Sequence, residues 1–425
     1  MNKYDSYKDS GVEWIGEIPS HWKFIKTNIL TKNLDGKRIP LNSEQRGEMN
    51  GKIPYWGSNG VVDYINEYIF DEEIVLVGED GSPFFDKLKP VSFFVNERVW
   101  VNNHIHILKP KELIISKYLT HSFNCVDYKE FITGSTRDKL TQSDLSRIPH
   151  TTPPLHEQHQ IVQFLDTKTS LIDTLIEKTQ RKIEILKEKR TSLINHVVTK
   201  GLNPNVEMKD SGVELIGEIP KHWITTRIKY FLYEIIDTEH KTVSFFEDGD
   251  YSVVRTTNIK KGKLITNGIR KTNYDGFTEW TRRGIPNPGD VLLTREGPVG
   301  ECCIVPSDFD FCLGQRVVWL KVKNKELNSK FLVYTIYSEN SINFMNTISL
   351  GSTVTHLNMS EIGNIPIFYC SIDQQQQIVE YLDEQTQIID TTVTKEQKRI
   401  KLLKEYRQSL ISEVVTGKIK VTTDE

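Results

Sequence analysis

The chain is poor in cysteine and has no long apolar run. Its five cysteines, Cys125, Cys302, Cys303, Cys312 and Cys370, are odd in number and form no Cys-x-x-Cys pair. That spacing speaks against a disulfide framework and a cysteine zinc site, so the thiols read as buried or incidental. No segment approaches the ~18 consecutive apolar residues of a membrane helix. The start, MNKYDSYKDS, is polar and lacks a signal-peptide core. The expectation is a soluble, cytoplasmic protein without membrane contact. Cofactor signatures are missing too: there is no GxxxxGK(S/T) phosphate loop, no GxGxxG after a strand and no GxSxG turn. An Asn/Asp-Pro-Pro-aromatic motif, which a base-methylating enzyme would use on a flipped base, is also absent. The chain offers no catalytic set and no metal site.

What it does have is itself, twice. Residues 8–22, KDSGVEWIGEIPSHW, return at 209–223 as KDSGVELIGEIPKHW, with thirteen of fifteen positions identical. Residues 158–199 return at 375–416 with 23 of 42 identical. The stretches between, 24–133 and 224–350, barely match. The offset is 201 at the first block and 217 at the second, so the second insert is sixteen residues longer. A frame that tolerates insertion there holds surface-rich domains at those places. The repeat also tests candidate chemistry. His156-Glu157-Gln158-His159 lacks the HExxH spacing, and its copy is Asp373-Gln374-Gln375-Gln376. A polar helix start explains both better than a metal or a general base. His104 and His106 read as strand residues rather than metal ligands.

The repeated 42-residue segments predict long helices. Leu165, Ile172, Leu175, Ile176, Ile183, Leu186, Leu193 and Val197 recur at helical spacing. Leu382, Ile389, Val393, Ile400, Leu403, Leu410 and Val414 hold matching positions in the copy. Pro153-Pro154 bars extension backwards, and Gly201 and Gly417 mark the ends. A rod of roughly 60 Å with a narrow apolar stripe must bury that stripe. Its own copy, packed as an antiparallel coiled-coil pair, is the simplest partner. The packing positions are then Leu165, Ile172, Ile183, Leu186 and Leu193 against Leu382, Ile389, Ile400, Leu403 and Leu410.

Each insert mixes strand-like runs with turns. Ile74–Val77, Val91–Val95 and Ile105–Leu108 read as strands in the first, and Tyr251–Val254, Val291–Leu293 and Val317–Leu320 in the second. Helices are expected near Ile115–Asn124 and Ser329–Tyr337. Shared landmarks suggest one fold with two surfaces: Asp80-Gly81 with Glu296-Gly297, Asn103-His104 with Gln315-Arg316, and Gly134-Ser135-Thr136 with Gly351-Ser352-Thr353. The fold class is therefore α+β. Two α/β domains, 1–154 and 201–371, are separated by long helices at 155–200 and 372–425, with an internal pseudo-two-fold repeat.

The net charge of −3 does not advertise nucleic acid, but its distribution does. Residues 255–295 carry nine basic against three acidic side chains, interleaved with Thr256, Thr257, Asn258, Asn267, Asn273, Tyr274 and Trp280. Short polar and aromatic side chains beside cations suit phosphate and base contacts.

The pattern SGVEWIGEIPSHW, a variable region ending in GST, then EQHQIVQFLD and a helix closing on VVTKGL, all in duplicate, resembles the specificity (S) subunit of type I restriction–modification enzymes. The likeness covers essentially the whole chain. It departs where Ile372-Asp373-Gln374-Gln375 replaces the Pro-Leu-His-Glu-Gln run and where Thr416-Gly417-Lys418 replaces Thr199-Lys200-Gly201. The resemblance implies that each insert is a target recognition domain for one half of a bipartite, asymmetric double-stranded DNA sequence. It implies helices that set the gap and bind two modification subunits, methyltransferases carrying S-adenosylmethionine. It also implies restriction subunits using ATP and Mg, and no catalysis or cofactor in this chain. A self-contained DNA-modifying enzyme and a coiled-coil scaffold without a DNA role are the alternatives. On this reading the DNA-contact candidates in the first domain are Arg38, Tyr55, Ser58, Asn59, Asn103, Ser135, Thr136, Arg137 and Lys139, with Trp56 nearby. In the second they are Arg255, Asn258, Lys260, Arg270, Arg282, Arg283, Arg295, Arg316, Ser352 and Thr353.

Overall fold

The long helices form as their periodicity requires. The central helix spans Leu155–Lys200 and the C-terminal helix Ile372–Val415. Gly201 and Gly417 end them in the left-handed region, with φ of 76° and 72°, where a side chain would be strained. The computed structural model describes residues 3–132, 138–213, 216–238, 241–307, 309–349 and 356–421. It divides into two compact units, residues 1–180 with 396–425, and residues 181–395. The division falls inside both long helices, so each unit holds one insert and half of each helix.

Within each unit the two half-helices run antiparallel. In the first, Leu165 and Ile172 share a core with Leu410, Ile411 and Val414, flanked by Ile176 and Leu403. In the second, Ile194, Val197 and Val198 share a core with Ile378, Val379 and Leu382, flanked by Leu193. Ile183 and Ile389 are buried, while Leu186 and Ile400 are half-buried. Duplication explains the ion pairs. Each helix carries an Asp followed seventeen residues later by an Arg. Arg407 meets Asp173 at 2.9 Å in one unit, and Arg190 meets Asp390 at 3.0 Å in the other. Asp390 is the repeat copy of Asp173, and Arg407 the copy of Arg190. A helix paired antiparallel with its own copy makes every contact twice.

The inserts share one topology. The first unit has an antiparallel sheet in which Ile105–Pro110 lies between Thr31–Asn33 and Ile74–Gly78, with Ser92–Val95 outermost. In the second, Val317–Val322 lies between Leu232–Asp237 and Val291–Thr294, with Cys302–Ile304 outermost. Each also has one parallel strand pair: Asn50–Gly57 with Arg98–Val101, and Tyr251–Val254 with Phe311–Leu313. The strands and helices expected from sequence are present. The hairpin of Asn50–Gly57 with Gly60–Ile65 was not anticipated.

The repeated blocks weld each insert to the helices. The first forms a short hairpin, Tyr7–Asp9 with Glu17–Pro19, ahead of fully buried Trp22. Trp22 Nε1 donates to Glu157 Oε2 at 3.0 Å. A Cβ on Gly417 would lie 2.3 Å from Pro19 Cδ and 3.1 Å from the Trp22 ring, so only glycine fits. Gln158 and its copy Gln375 are completely buried. Gln158 accepts from Ile115 N at 2.9 Å and donates to the carbonyls of Leu113 and Pro153. Gln375 does the same with Asn328 N, Glu326 and Cys370. The polar helix start is therefore a pair of amide anchors.

One buried histidine makes the first unit acid-sensitive. His150 lies between the hydroxyls of Thr27 and Ser122 at 2.9 and 2.8 Å, and burial pulls its imidazole down to about 3. The folded state holds it neutral, whereas the unfolded chain binds a proton below about pH 6.5. Its stabilising contribution is complete above that pH and shrinks on acidification toward pH 3. Between pH 6.5 and 5 the expected loss is about 2 kcal/mol. His150→Gln should flatten that slope in pH-dependent unfolding of the first unit.

Candidate nucleic-acid interface

The ends of the two parallel strand pairs place non-matching loops on matching backbone. In the first unit Asn102 N donates to Trp56 O at 3.1 Å, Glu79 N to His104 O at 3.0 Å and Leu140 N to Glu79 O at 2.7 Å. In the second, Gly314 N donates to Val254 O at 2.8 Å, Arg295 N to Arg316 O and Leu357 N to Arg295 O, both at 3.0 Å. Isolated bridges join Asp80 to Lys139 and Glu296 to His356. His104 Nδ1 lies 2.8 Å from the Asp80 carboxylate, and an ion pair joins Arg316 to Glu296 at 2.5 Å. This frame equates Gly57-Ser58-Asn59 with Arg255-Thr256-Thr257, and Asn102-Asn103-His104 with Gly314-Gln315-Arg316. Rigid strands thus present loops of different chemistry at one place in the fold. The first unit offers amides and a hydroxyl; the second offers guanidinium groups, an amide and hydroxyls.

The structure redistributes the sequence candidates. Asn59 and Asn103 are exposed at the loop, with Ser58 half-buried beside them. Asn59 Nδ2 donates to Gly81 O at 3.0 Å. Tyr55 belongs to the core: it is 1% exposed, and its hydroxyl holds the Leu41 backbone. Trp56 is half-buried against Phe93. Asn258 is also interior, 4% exposed. It bridges Arg255 N and Ile265 O and so fixes the turn rather than facing a ligand.

Arg38 and Arg295 are structural for a shared reason. Arg38 pairs with Glu79 and donates to Ile105 O at 3.1 Å. Lys139 reaches the same carboxylate at 3.0 Å. Against the upward pull of burial, Arg38 and Lys139 hold the Glu79 carboxyl below its ordinary value. Beneath them Asp35 accepts from His106, Ile107 N and Gln142. Those bonds overcome burial and hold Asp35 well below the carboxylate range. In the second unit Arg295 stands where Glu79 stands in the first, paired at 2.7 Å with Asp237. A half-buried ion pair thus stands at this place in both units, with the opposite charge at the equivalent position. Each arginine is engaged with a carboxylate of its own domain.

Arg270, Arg282, Arg283, Arg316 and Lys260 are exposed. Arg283 donates to Asp237 O at 2.6 Å. Arg316 adopts a left-handed backbone, φ 70°, an uncommon conformation for a long side chain. Arg255 and Arg270 flank the Phe245 ring, their guanidinium carbons 5.6 and 4.7 Å from its centroid. Ser135, Thr136, Arg137, Ser352 and Thr353 lie outside the described residues. Sequence reading missed Phe245 and Gln315 because only the parallel strand pairing brings residue 315 beside residue 255. Among the described residues no cluster of His, Cys, Asp and Glu could hold a metal, and no helix is long and apolar enough to cross a membrane.

The family described as Type I restriction modification DNA specificity domain matches residues 19–186 and 230–402. A putative type I restriction enzyme specificity subunit of Haemophilus influenzae is 25% identical over 83% of this chain and 84% of its own. The EcoBI specificity subunit of Escherichia coli is 24% identical over 99% of this chain and 87% of its own. A solved chain described under complex assembly and conformational transition of the type I R-M system shares the fold. Its TM-score is 0.68 at 14% identity, covering 95% of this chain and 99% of that one. With two matched segments over most of its length, and two strand frames that carry different loops, the chain belongs to the type I restriction–modification DNA specificity family and serves in DNA recognition.

Proposed function

We propose that each recognition domain reads one half of a bipartite, asymmetric site in double-stranded DNA, and that the helix pair sets the gap between the halves. The observation that carries this reading is the matched backbone frame with unmatched loops. Asn59 and Asn103 in one domain and Arg255, Gln315 and Arg316 in the other prefer different base edges or phosphates. Two readers fixed to helices lose less entropy on binding than two on a flexible tether.

The helices also dock two modification subunits. Besides the buried seam, they expose a second apolar set: Leu171 at 58% and its copy Ile388 at 55%, Ile185 at 50% and its copy Leu402 at 53%. Duplication presents that set twice, which suits two copies of one partner. The modification subunits carry S-adenosylmethionine and methylate adenine. Restriction subunits bring ATP and Mg, and assembly takes place in the cytoplasm. This chain contributes recognition and no bond-making step. With a duplex carrying the site, the purified chain is expected to transfer no methyl group, while its complex with the modification subunits methylates adenine. Methyl transfer by the chain alone would overturn the reading.

A further inference from the structure

The second recognition domain contains a cleft of about 290 Å³ lined by Thr242, Phe245, Arg255, Thr256, Arg270 and Arg316, among others. Among the described residues no aspartate or glutamate lines it. Arg255 Nε is buried and has no hydrogen-bond partner among the described residues. Burial, and then the neighbouring Arg270 charge, lower the Arg255 guanidinium from its ordinary range, though an arginine stays cationic at neutral pH. Gly314 makes the arrangement possible, since a Cβ there would come within 3.0 Å of Arg255 Cγ. The fold therefore holds two like charges against one aromatic ring, with no carboxylate between them among the described residues. An oxyanion relieves that repulsion and occupies the unused donor. Threonine hydroxyls on the wall add neutral donors of the kind that contact phosphate. A guanidinium fork matches two phosphate oxygens.

We infer that this cleft seats a backbone phosphodiester of the DNA bound by the second domain, and that the equivalent place in the first domain does not. The frame puts Gly57, Ser58 and Asn59 where Arg255, Thr256 and Thr257 stand, and Asn102 where Gly314 stands. That loop offers no guanidinium to an anion. At this place in the fold the two domains thus divide the work unequally: the second offers ionic anchoring, and the first amide contacts without counterion release. The inference rests on the DNA-reading role proposed above and assigns a ligand group to one part of it.

The test measures affinity for a cognate and a scrambled duplex over a salt series, using the full chain assembled with its modification subunits. Each phosphate contact contributes about 0.9 to the slope of log K against log salt. Arg270→Ala and Arg255→Ala are each expected to reduce the slope by about one and to weaken both duplexes about tenfold. Asn103→Ala should leave the slope in place. Arg270 is exposed, so its variant decides the matter if Arg255→Ala fails to fold. An unchanged slope would overturn the inference, and so would relaxed preference at a single base pair with the slope intact, which marks a base contact. Inorganic phosphate alone, followed by calorimetry, is expected to show no saturable binding. Saturable binding together with an unchanged DNA slope would assign the cleft to a free anion. Failure of the unsubstituted complex to bind any duplex would instead remove the DNA-reading role.

Discussion

Seven residues added to both long helices, after residues 180 and 395, are expected to widen the gap between half-sites by about three base pairs. Seven helical residues rise about 10 Å, and B-form DNA rises about 3.4 Å per base pair. Two turns keep the apolar stripe nearly in phase. Insertion in both copies preserves the Asp173–Arg407 and Arg190–Asp390 pairs, because each lies wholly on one side of the inserted turns. The methylated motif of a host expressing the variant with its modification subunit reports the gap. Both specific halves should survive unchanged while the spacer grows. Insertion in one helix alone shifts it against the other, so the two ion pairs cannot both form and methylation should fall steeply. An unchanged spacer in the double insertion would mean that something other than the helices sets it.

Trp22→Ala is expected to destabilise the first unit by about 3–5 kcal/mol, the range for emptying a large buried aromatic site. The ring fills the junction between the first repeated block and the ends of both helices, where Gly417 approaches it and Glu157 accepts its N–H. The copy supplies a finer test. Trp223 is equally buried, but position 374 carries glutamine where the first copy has Glu157. The Trp223 N–H has no partner among the described residues. Trp22→Phe takes the indole donor from a partly buried carboxylate, whose other oxygen keeps His21; Trp223→Phe deletes an unsatisfied donor. The first should therefore cost about 1–3 kcal/mol more than the second. Native-state hydrogen exchange, read separately in each unit, measures both, whereas a single melting curve would mix them. Equal penalties would show that the Glu157 bond contributes nothing.

The sequence made the helices legible because a period of 3.6 residues is local information. Pro153-Pro154 and the two glycines fix their ends for the same reason. Duplication gave more than a domain count. Asp173 and Asp390, with Arg190 and Arg407, become partners once the helix is laid antiparallel on its copy. The recognition loops were less legible. Arg255 and Gln315 meet only through a parallel strand pairing, which leaves no short-range signature. Arg38 and Arg295 look like DNA contacts in sequence because charge patterning cannot separate an exposed cation from one neutralised by a distant carboxylate. Tyr55 and Asn258 sit in polar, turn-like stretches yet face inward, to hold the backbone of Leu41 in one case and of Arg255 and Ile265 in the other. Gln158 and Gln375 read only as part of a polar helix start and are buried anchors, since burial of an amide depends on which carbonyls surround it.

The most direct test of the account is the sequence context of adenine methylation in a host that expresses this chain with its modification subunit and otherwise lacks such activity. The account predicts one motif with two dissimilar defined parts and an undefined spacer of constant length. Exchanging residues 24–133 for the insert of a relative should replace one part and leave the other intact. A continuous motif, a palindrome, or an exchange that rewrites both parts together would contradict it.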